Sequence, residues 1–206
     1  LYFNSMYNLL DNKIILVANN LYDKYYMQDF IKRDVIHIPS ICDYYDAYYS
    51  SNENGFIYYS RDRISEISNK NIKYKDDIFK THTHHDLVKF KGIIHIPYQI
   101  SYMSIFEQYT SNIPLILPTK DFLMKLYKEK RYSILKETSW NNYFNVDSKS
   151  FISYDKKYDP NNYNDIEAVE YWLQYADFYD EKWMPYITYF SSFDELNKLV
   201  DTIDTN

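Results

Sequence analysis

The amino-acid sequence predicts an α/β fold built around a parallel β-sheet. Short apolar runs rich in β-branched residues recur along the chain, and amphipathic helical patterns separate them. Residues 13–39 contain a strand, a helix and a second strand, which is the unit that joins parallel strands through a right-handed crossover. The alternation of strand and helix continues to residue 203, and this pattern is typical of a doubly wound sheet.

Six apolar runs are the predicted strands. They occupy residues 13–18, 34–39, 56–60, 93–97, 113–118 and 184–190. Two of them end in the same Ile-His-Ile-Pro sequence, at residues 36–39 and 94–97, without wider similarity around it. We therefore expect two parallel strands with similar ends and not an internal repeat.

Six helical segments are predicted to separate or follow these strands. They occupy residues 21–32, 81–88, 101–111, 120–130, 164–179 and 192–203. Two of them begin with a capping box, Asn164-x-x-Glu167 and Ser192-x-x-Glu195, which satisfies the first helical amides. Residues 64–80 are less regular, and we expect a helix followed by a short strand there. The segments 43–55 and 138–163 are expected to be loops.

Composition excludes several classes of protein. The chain has 206 residues, a formal net charge of −6 and only two glycines. An acidic chain repels phosphate backbones, so we expect no nucleic-acid partner. The shortage of glycine excludes a G-x-G-x-x-G dinucleotide fingerprint and a P-loop. No apolar run approaches the ~18 residues of a membrane span, and the single cysteine, Cys42, fits a reducing, cytoplasmic compartment.

The chain divides into three predicted parts. Residues 1–5 precede Met6 and look like the remnant of a cleaved expression tag, so they are excluded from the fold. Residues 6–42 form a βαβ crossover segment, and residues 43–206 form a Rossmann-like domain with C-terminal helices. Ligands of such folds bind beyond the carboxyl ends of the strands, so we expect functional residues in the loops that follow them.

The best candidate site follows the predicted strand at residues 93–97. Ser101 and Ser104 lie near the start of the next helix, whose unpaired amides and positive dipole end favour a phosphate group. Glu107 falls one turn further along and can accept hydrogen bonds from sugar or ribose hydroxyls. Ordinary capping by the serines and a solvated glutamate are the alternative interpretation.

Residues 104–117, SIFEQYTSNIPLIL, resemble the E-A-x-A-x-G-x-P-V-V helix and strand of GT-B glycosyltransferases. The resemblance implies that Glu107 contacts the ribose of a nucleotide-sugar donor. It places Gln99 where the family often carries a second glutamate near the transferred sugar, and Tyr98 and Ser101 fall in the same donor-binding loop. The glycine that the family has before its proline is replaced here by Asn112-Ile113.

The same resemblance extends upstream. Residues 36–39 and the segment FIYYSR at 56–61 resemble the family's domain crossover and its first C-domain strand. Arg61 stands where a family arginine binds the donor diphosphate, and a guanidinium can hold two phosphate oxygens as charge develops on the leaving group. Arg63 is a second candidate for this role, and a solvated turn is the alternative for both arginines.

The resemblance covers most of residues 13–120 and implies the C-terminal, donor-binding half of a GT-B glycosyltransferase. The segments ADFYD (176–180) and WMPYITYFSSFDEL (183–196) are also similar to uncharacterised glycosyltransferase-like proteins of large DNA viruses, which implies a location in the host cytoplasm. The family implies a UDP- or GDP-sugar as donor, no metal ion, and a glycan or protein as acceptor. We expect the acceptor-binding N-terminal domain to be missing from this chain.

Three functional interpretations are left open by the sequence. The first is a glycosyltransferase, for which no catalytic base is assigned. The second is a catalytically degenerate module that binds a protein or carbohydrate through some of its 26 tyrosines, although packing of these rings is the expected reason for most of them. The third is another nucleotide-binding α/β protein.

The five histidines also allow more than one interpretation. His82, His84 and His85 precede Asp86, but adjacent histidines rarely ligate one ion, so a polar loop is expected in preference to a metal site. His37 and His95 lie inside apolar strands, where a buried structural role is expected. His95 is kept as a minor site candidate because its strand leads into the candidate site.

Overall fold

The computed structural model describes residues 14–129, 134–135 and 156–204. The predicted tag remnant at residues 1–5 and most of the predicted loop at 138–163 lie outside these ranges. In the described part of the chain, seven strands form two sheets, and both sheets are parallel.

The smaller sheet confirms the predicted βαβ unit. Strand β1 (Val17–Ala18) pairs in parallel with β2 (Ile36–His37), and helix α1 (Leu21–Ile31) connects them. Helix α1 begins after Asn20 because the side chain of Asn20 accepts the backbone N–H of Asp23.

The larger sheet has five strands, all parallel. They are β3 (Phe56–Tyr59), β4 (Ile72–Tyr74), β5 (Gly92–His95), β6 (Leu115–Pro118) and β7 (Ile187–Phe190), in the spatial order β4-β3-β5-β6-β7. Counted along the chain, this order is 2-1-3-4-5, one of the two common orders of doubly wound sheets. The α/β class and the parallel sheet flanked by helices are therefore confirmed.

Six further α-helices lie in the described residues after α1, and all but the first of them match a predicted segment with shorter bounds. They are α2 (Lys75–Ile78), α3 (His84–Leu87), α4 (Met103–Thr110), α5 (Lys120–Lys128), α6 (Ile166–Leu173) and α7 (Phe193–Thr202), with a 3₁₀ helix at Asp177–Tyr179. The predicted cap Ser192 accepts the N–H of Glu195. The predicted cap Asn164 is wrong by one residue, because Asp165 accepts the amides of Glu167 and Ala168.

The prediction for residues 64–80 has the wrong order. Strand β4 comes first, and helix α2 follows it at once. Ile72 pairs in register with Phe56 at the edge of the sheet, and Lys73 pairs with Ile57. Three residues, of which only Ile72 is buried, are too few to produce a recognisable strand pattern.

The centre of the larger sheet is the core of the molecule. Strands β5 and β6 are buried at every residue, and β3 is buried at three of its four. Continuously buried runs such as Gly92–His95 and Leu115–Pro118 suit this position, because both faces of a parallel sheet are covered.

The two glycines hold backbone positions that other residues fit poorly. Gly55 has φ +100°, and a Cβ there would lie 2.6 Å from the carbonyl oxygen of Asn71. A Cβ on Gly92 would lie 2.7 Å from the carbonyl oxygen of Pro114. Strand β5 can therefore approach its neighbours closely only because residue 92 has no side chain.

Aromatic contacts join the βαβ unit to the C-terminal helices. The ring of Tyr22 lies 5.4 Å from that of Trp172, edge to face, and the rings of Tyr25 and Tyr175 lie 4.3 Å apart. The backbone N–H of Leu21 donates to Oδ2 of Asp177 over 2.9 Å. Many tyrosines thus pack through their rings, in agreement with the interpretation that these residues serve packing.

We find no candidate membrane-spanning helix in the ranges that the structure describes. None of the helices there is both long and apolar enough to cross a bilayer.

Candidate functional site

The strand order creates one switch point at the carboxyl edge of the sheet. The chain leaves β3 for β4 on one side and then crosses to β5 on the other side of β3. Loops that leave β3 and β5 in opposite directions open a crevice there, which is the usual ligand position in doubly wound folds.

A cavity of about 370 Å³ lies at this switch point. The segments that follow β3, β4 and β5 each contribute to it. Its lining residues are Tyr59, Ser60, Arg61, Lys75, Asp76, Tyr98, Tyr102 and Ser104. The sheet therefore brings together side chains from three separate parts of the sequence.

Two cations flank the cavity. The guanidinium carbon of Arg61 lies 3.9 Å from the centroid of the Tyr98 ring, and Nζ of Lys75 lies 4.8 Å from the centroid of the Tyr59 ring. Asp76 is the single carboxylate in the lining, with Oδ1 3.5 Å from Nζ of Lys75. The lining is therefore positively charged overall and suits an anion.

Hydroxyl groups supply neutral hydrogen-bond donors in the same cavity. Burial raises the pKa of Tyr59 and of Tyr102, so both phenols stay protonated at neutral pH. The side chain of Ser104 interacts with that of Tyr59 and partly offsets the rise in the pKa of Tyr59. Ser104 also lies in the first turn of α4, where backbone amides lack helical partners and the dipole is positive.

His95 supports the cavity from beneath. It is the last residue of β5 and is fully buried, with Nε2 hydrogen-bonded to Oε1 of Gln108. Its ring centroid lies 5.2 Å from that of Tyr59 and 5.4 Å from that of Tyr102. Burial lowers the pKa of His95 to about 4, so the ring is neutral and acts here as a packing surface for two lining tyrosines.

Three of the predicted site residues meet in the cavity: Arg61, Tyr98 and Ser104. Gln99 is half-buried outside the lining. Ser101 also lies outside the lining, and its side chain faces the carboxylate of Asp23 near the start of α1.

Arg63 points elsewhere. Its guanidinium forms an exposed ion pair with Asp77 and lies 4.7 Å from the centroid of the Tyr74 ring. Of the two interpretations of the arginines, the solvated turn therefore fits Arg63. Arg61, by contrast, borders the cavity.

Glu107 lies one turn beyond Ser104 on α4, outside the cavity lining. Its Oε1 accepts hydrogen bonds from the hydroxyls of Tyr44 and Tyr45, over 2.9 Å and 3.0 Å. Its Oε2 lies 3.7 Å from Nε2 of His84, whose ring stacks on that of Tyr45 at a centroid distance of 3.5 Å. The carboxylate is thus held by side chains of this chain.

The histidine-rich segment is divided between two environments. His84 faces Glu107, while the ring of His82 packs against Tyr59 and Phe79. Among the described residues, no three histidine, cysteine, aspartate or glutamate side chains converge as a metal ion requires.

The sequence did not single out five lining residues, namely Tyr59, Ser60, Lys75, Asp76 and Tyr102. Lys75 and Asp76 directly follow β4 and would have been found had that strand been placed correctly. Tyr59 and Ser60 end the predicted strand before Arg61, and Tyr102 immediately precedes α4.

Comparisons with protein-family models, with curated proteins and with solved structures found no match for this chain. The cavity and the sequence resemblance are therefore the two observations that bear on the function of this chain.

Proposed function

We propose that the chain binds the diphosphate of a nucleotide-sugar in the switch-point cavity and serves as the donor-binding part of a glycosyltransferase. The acceptor would be a glycan or a protein. One observation carries the proposal: Arg61 and Lys75, from segments that follow neighbouring strands, flank one cavity lined with hydroxyl groups.

The chemistry of sugar transfer suits such a lining. As the bond to the sugar breaks, negative charge grows on the departing diphosphate, and fixed cations nearby stabilise it. The guanidinium of Arg61 can hold two oxygens at once, and the ammonium of Lys75 can act as a second point charge. Ser104 and the amides of the first turn of α4 can complete the anion site.

Both the resemblance and the geometry support the role of Arg61. The family motif places a diphosphate-binding arginine at this position, and the side chain borders the cavity. A buried, unpaired Cys42 is compatible with a cytoplasmic location, which is part of the proposal.

Thermal shifts with UDP-, GDP-, ADP- and CMP-linked sugars and the free nucleotides test this function. A bound nucleotide at a hundredfold excess over Kd should stabilise the fold by about 2.7 kcal/mol. Arg61→Ala and Lys75→Ala should each weaken binding about tenfold or more, because each removes a charge-assisted contact. Arg63→Ala is the matched control, since Arg63 is an exposed arginine outside the cavity. Equal losses in the Arg61 and Arg63 variants, or no binding of any nucleotide to folded protein, would contradict the proposal.

A second candidate function is a catalytically degenerate module that binds a protein or carbohydrate. Exposed tyrosines beside α4 favour it. Tyr186 is 84% exposed and its backbone N–H bonds Tyr109 of α4, while Tyr44 is 64% exposed and bonds Glu107 of the same helix. Glycan-array binding that is lost in Tyr186→Ala and indifferent to Arg61→Ala would favour this function over the first.

A further inference from the structure

The loop that follows β2 crosses the second half of α4. Cys42 donates its backbone N–H to Oγ1 of Thr110 over 3.3 Å, and Tyr49 donates its own to the carbonyl oxygen of Ser111 over 3.0 Å. Between these points Tyr44 and Tyr45 reach Glu107. We call residues 42–49 the tyrosine strap.

The strap contacts α4 one turn beyond the residue of this helix that lines the cavity. Ser104 lines the cavity, and Glu107 lies three residues further on the same helical face. A ligand that extends from the anion site along this face therefore meets Glu107. In this structure the two phenol hydroxyls of the strap already occupy Oε1.

The contacts of the strap are suited to exchange with a ligand. Tyr44 is 64% exposed, so its hydrogen bond to Glu107 competes with water. The buried side chains of Cys42 and Ala47 hold the strap to the body of the molecule, so the backbone between them, which carries both tyrosines, can open while its ends stay attached.

We propose that the tyrosine strap is autoinhibitory: the hydroxyls of Tyr44 and Tyr45 occupy the Glu107 carboxylate until a ligand with a vicinal diol displaces them. The inference rests on the proposed function, because a nucleotide held by its diphosphate carries such a diol on its ribose. A carboxylate oxygen that accepts two converging hydroxyls from the strap can accept the two hydroxyls of a ribose instead.

Paired nucleotides separate the strap from the anion site. The probes are UDP and GDP together with their 2′,3′-dideoxy counterparts, which keep the diphosphate and lack the diol. The variants are Tyr44→Phe/Tyr45→Phe and, as a matched control, Tyr48→Phe, whose lost hydroxyl bonds Asp43 and not Glu107. The melting temperature of each variant checks that it folds.

The double variant should bind the ribonucleotide roughly three- to tenfold more tightly than the wild type, because no phenol competes for Glu107. Its affinity for the dideoxynucleotide should equal that of the wild type, and Tyr48→Phe should change neither. Amide hydrogen exchange supplies a second signature. Binding of the ribonucleotide to the wild type should speed exchange in residues 42–49 while slowing it in residues 98–104.

The outcomes distinguish the two proposals. Equal affinities for both nucleotides in every variant, or slower exchange in residues 42–49 on binding, would overturn the strap and leave the anion site standing. If no nucleotide binds the wild type or the double variant, the proposed function fails and the strap fails with it.

Discussion

The guanidinium of Arg61 stacks over the ring of Tyr98, with 3.9 Å between the guanidinium carbon and the ring centroid. The two residues follow different strands, β3 and β5, on either side of the switch point. The ring therefore holds the cation across the cavity mouth, and a flexible side chain loses less entropy when a phosphate binds it in a preset position.

Replacing Tyr98 tests this arrangement. Tyr98→Ala should weaken binding of the nucleotide by about two- to fivefold, the equivalent of one exposed cation–π contact. Tyr98→Phe keeps the ring and should bind like the wild type. Isothermal titration with the nucleotide that stabilises the wild type measures both. Unchanged affinity in Tyr98→Ala would show that Arg61 does not depend on the ring for its position.

The close packing around Gly92 leads to a prediction about stability. An alanine there would place its Cβ 2.7 Å from the carbonyl oxygen of Pro114 and 3.1 Å from two ring carbons of Phe56. Gly92→Ala should cost about 1–3 kcal/mol in the free energy of unfolding, because β5 must shift within a packed sheet. Urea denaturation measures the loss. Asn52→Ala, in an exposed loop, is the control and should change stability by less than about 0.5 kcal/mol.

Asp177 predicts a dependence of stability on pH. It is 3% exposed, its Oδ1 lies 3.4 Å from Nε2 of His37, and burial raises its pKa to about 7. The folded state therefore keeps a proton that the unfolded state releases above pH 3.8, so this group contributes stability at low pH. That contribution is lost as the pH rises from about 4 to about 7.

Asp177→Asn mimics the protonated form and can still accept the N–H of Leu21. Its melting temperature should exceed that of the wild type by several degrees at pH 8 and by much less at pH 4. Asp177→Ala is the matched control, because it also removes the acceptor for the N–H of Leu21. Its melting temperature at pH 8 should therefore rise less than that of Asp177→Asn. The same difference from the wild type at both pH values would refute a raised pKa at this position.

The sheet could be predicted from the sequence wherever a strand is central. Both faces of the sheet are covered at β3, β5 and β6, so these strands are largely continuous apolar runs. Such runs can be recognised in the sequence even though apolar and polar residues do not alternate along them. Strand β4 lies at an edge and has three residues of mixed burial. Its place is set by pairing with β3, a tertiary interaction that leaves no local pattern.

The candidate site could be predicted in part for the same reason. A parallel sheet directs attention to its carboxyl edge, and Arg61, Tyr98 and Ser104 were expected there from the segments that follow β3 and β5. Lys75 was missed together with its strand. The partners of Glu107 were missed because Tyr44 and Tyr45 come from a loop that is distant in sequence. Contacts of this kind form only in the tertiary structure and leave no local sequence pattern.

The pairing of β6 with β7 has a consequence for synthesis of the protein. Leu115 pairs with Ile187, and Pro118 with Phe190, so β6 acquires its outer neighbour only when a much later part of the chain is present. On the ribosome, a nascent chain that already contains β6 still displays a fully apolar edge with unpaired backbone groups. Translational pausing between residues 118 and 190 should therefore expose this protein to chaperones or aggregation more than pausing at any point after β7.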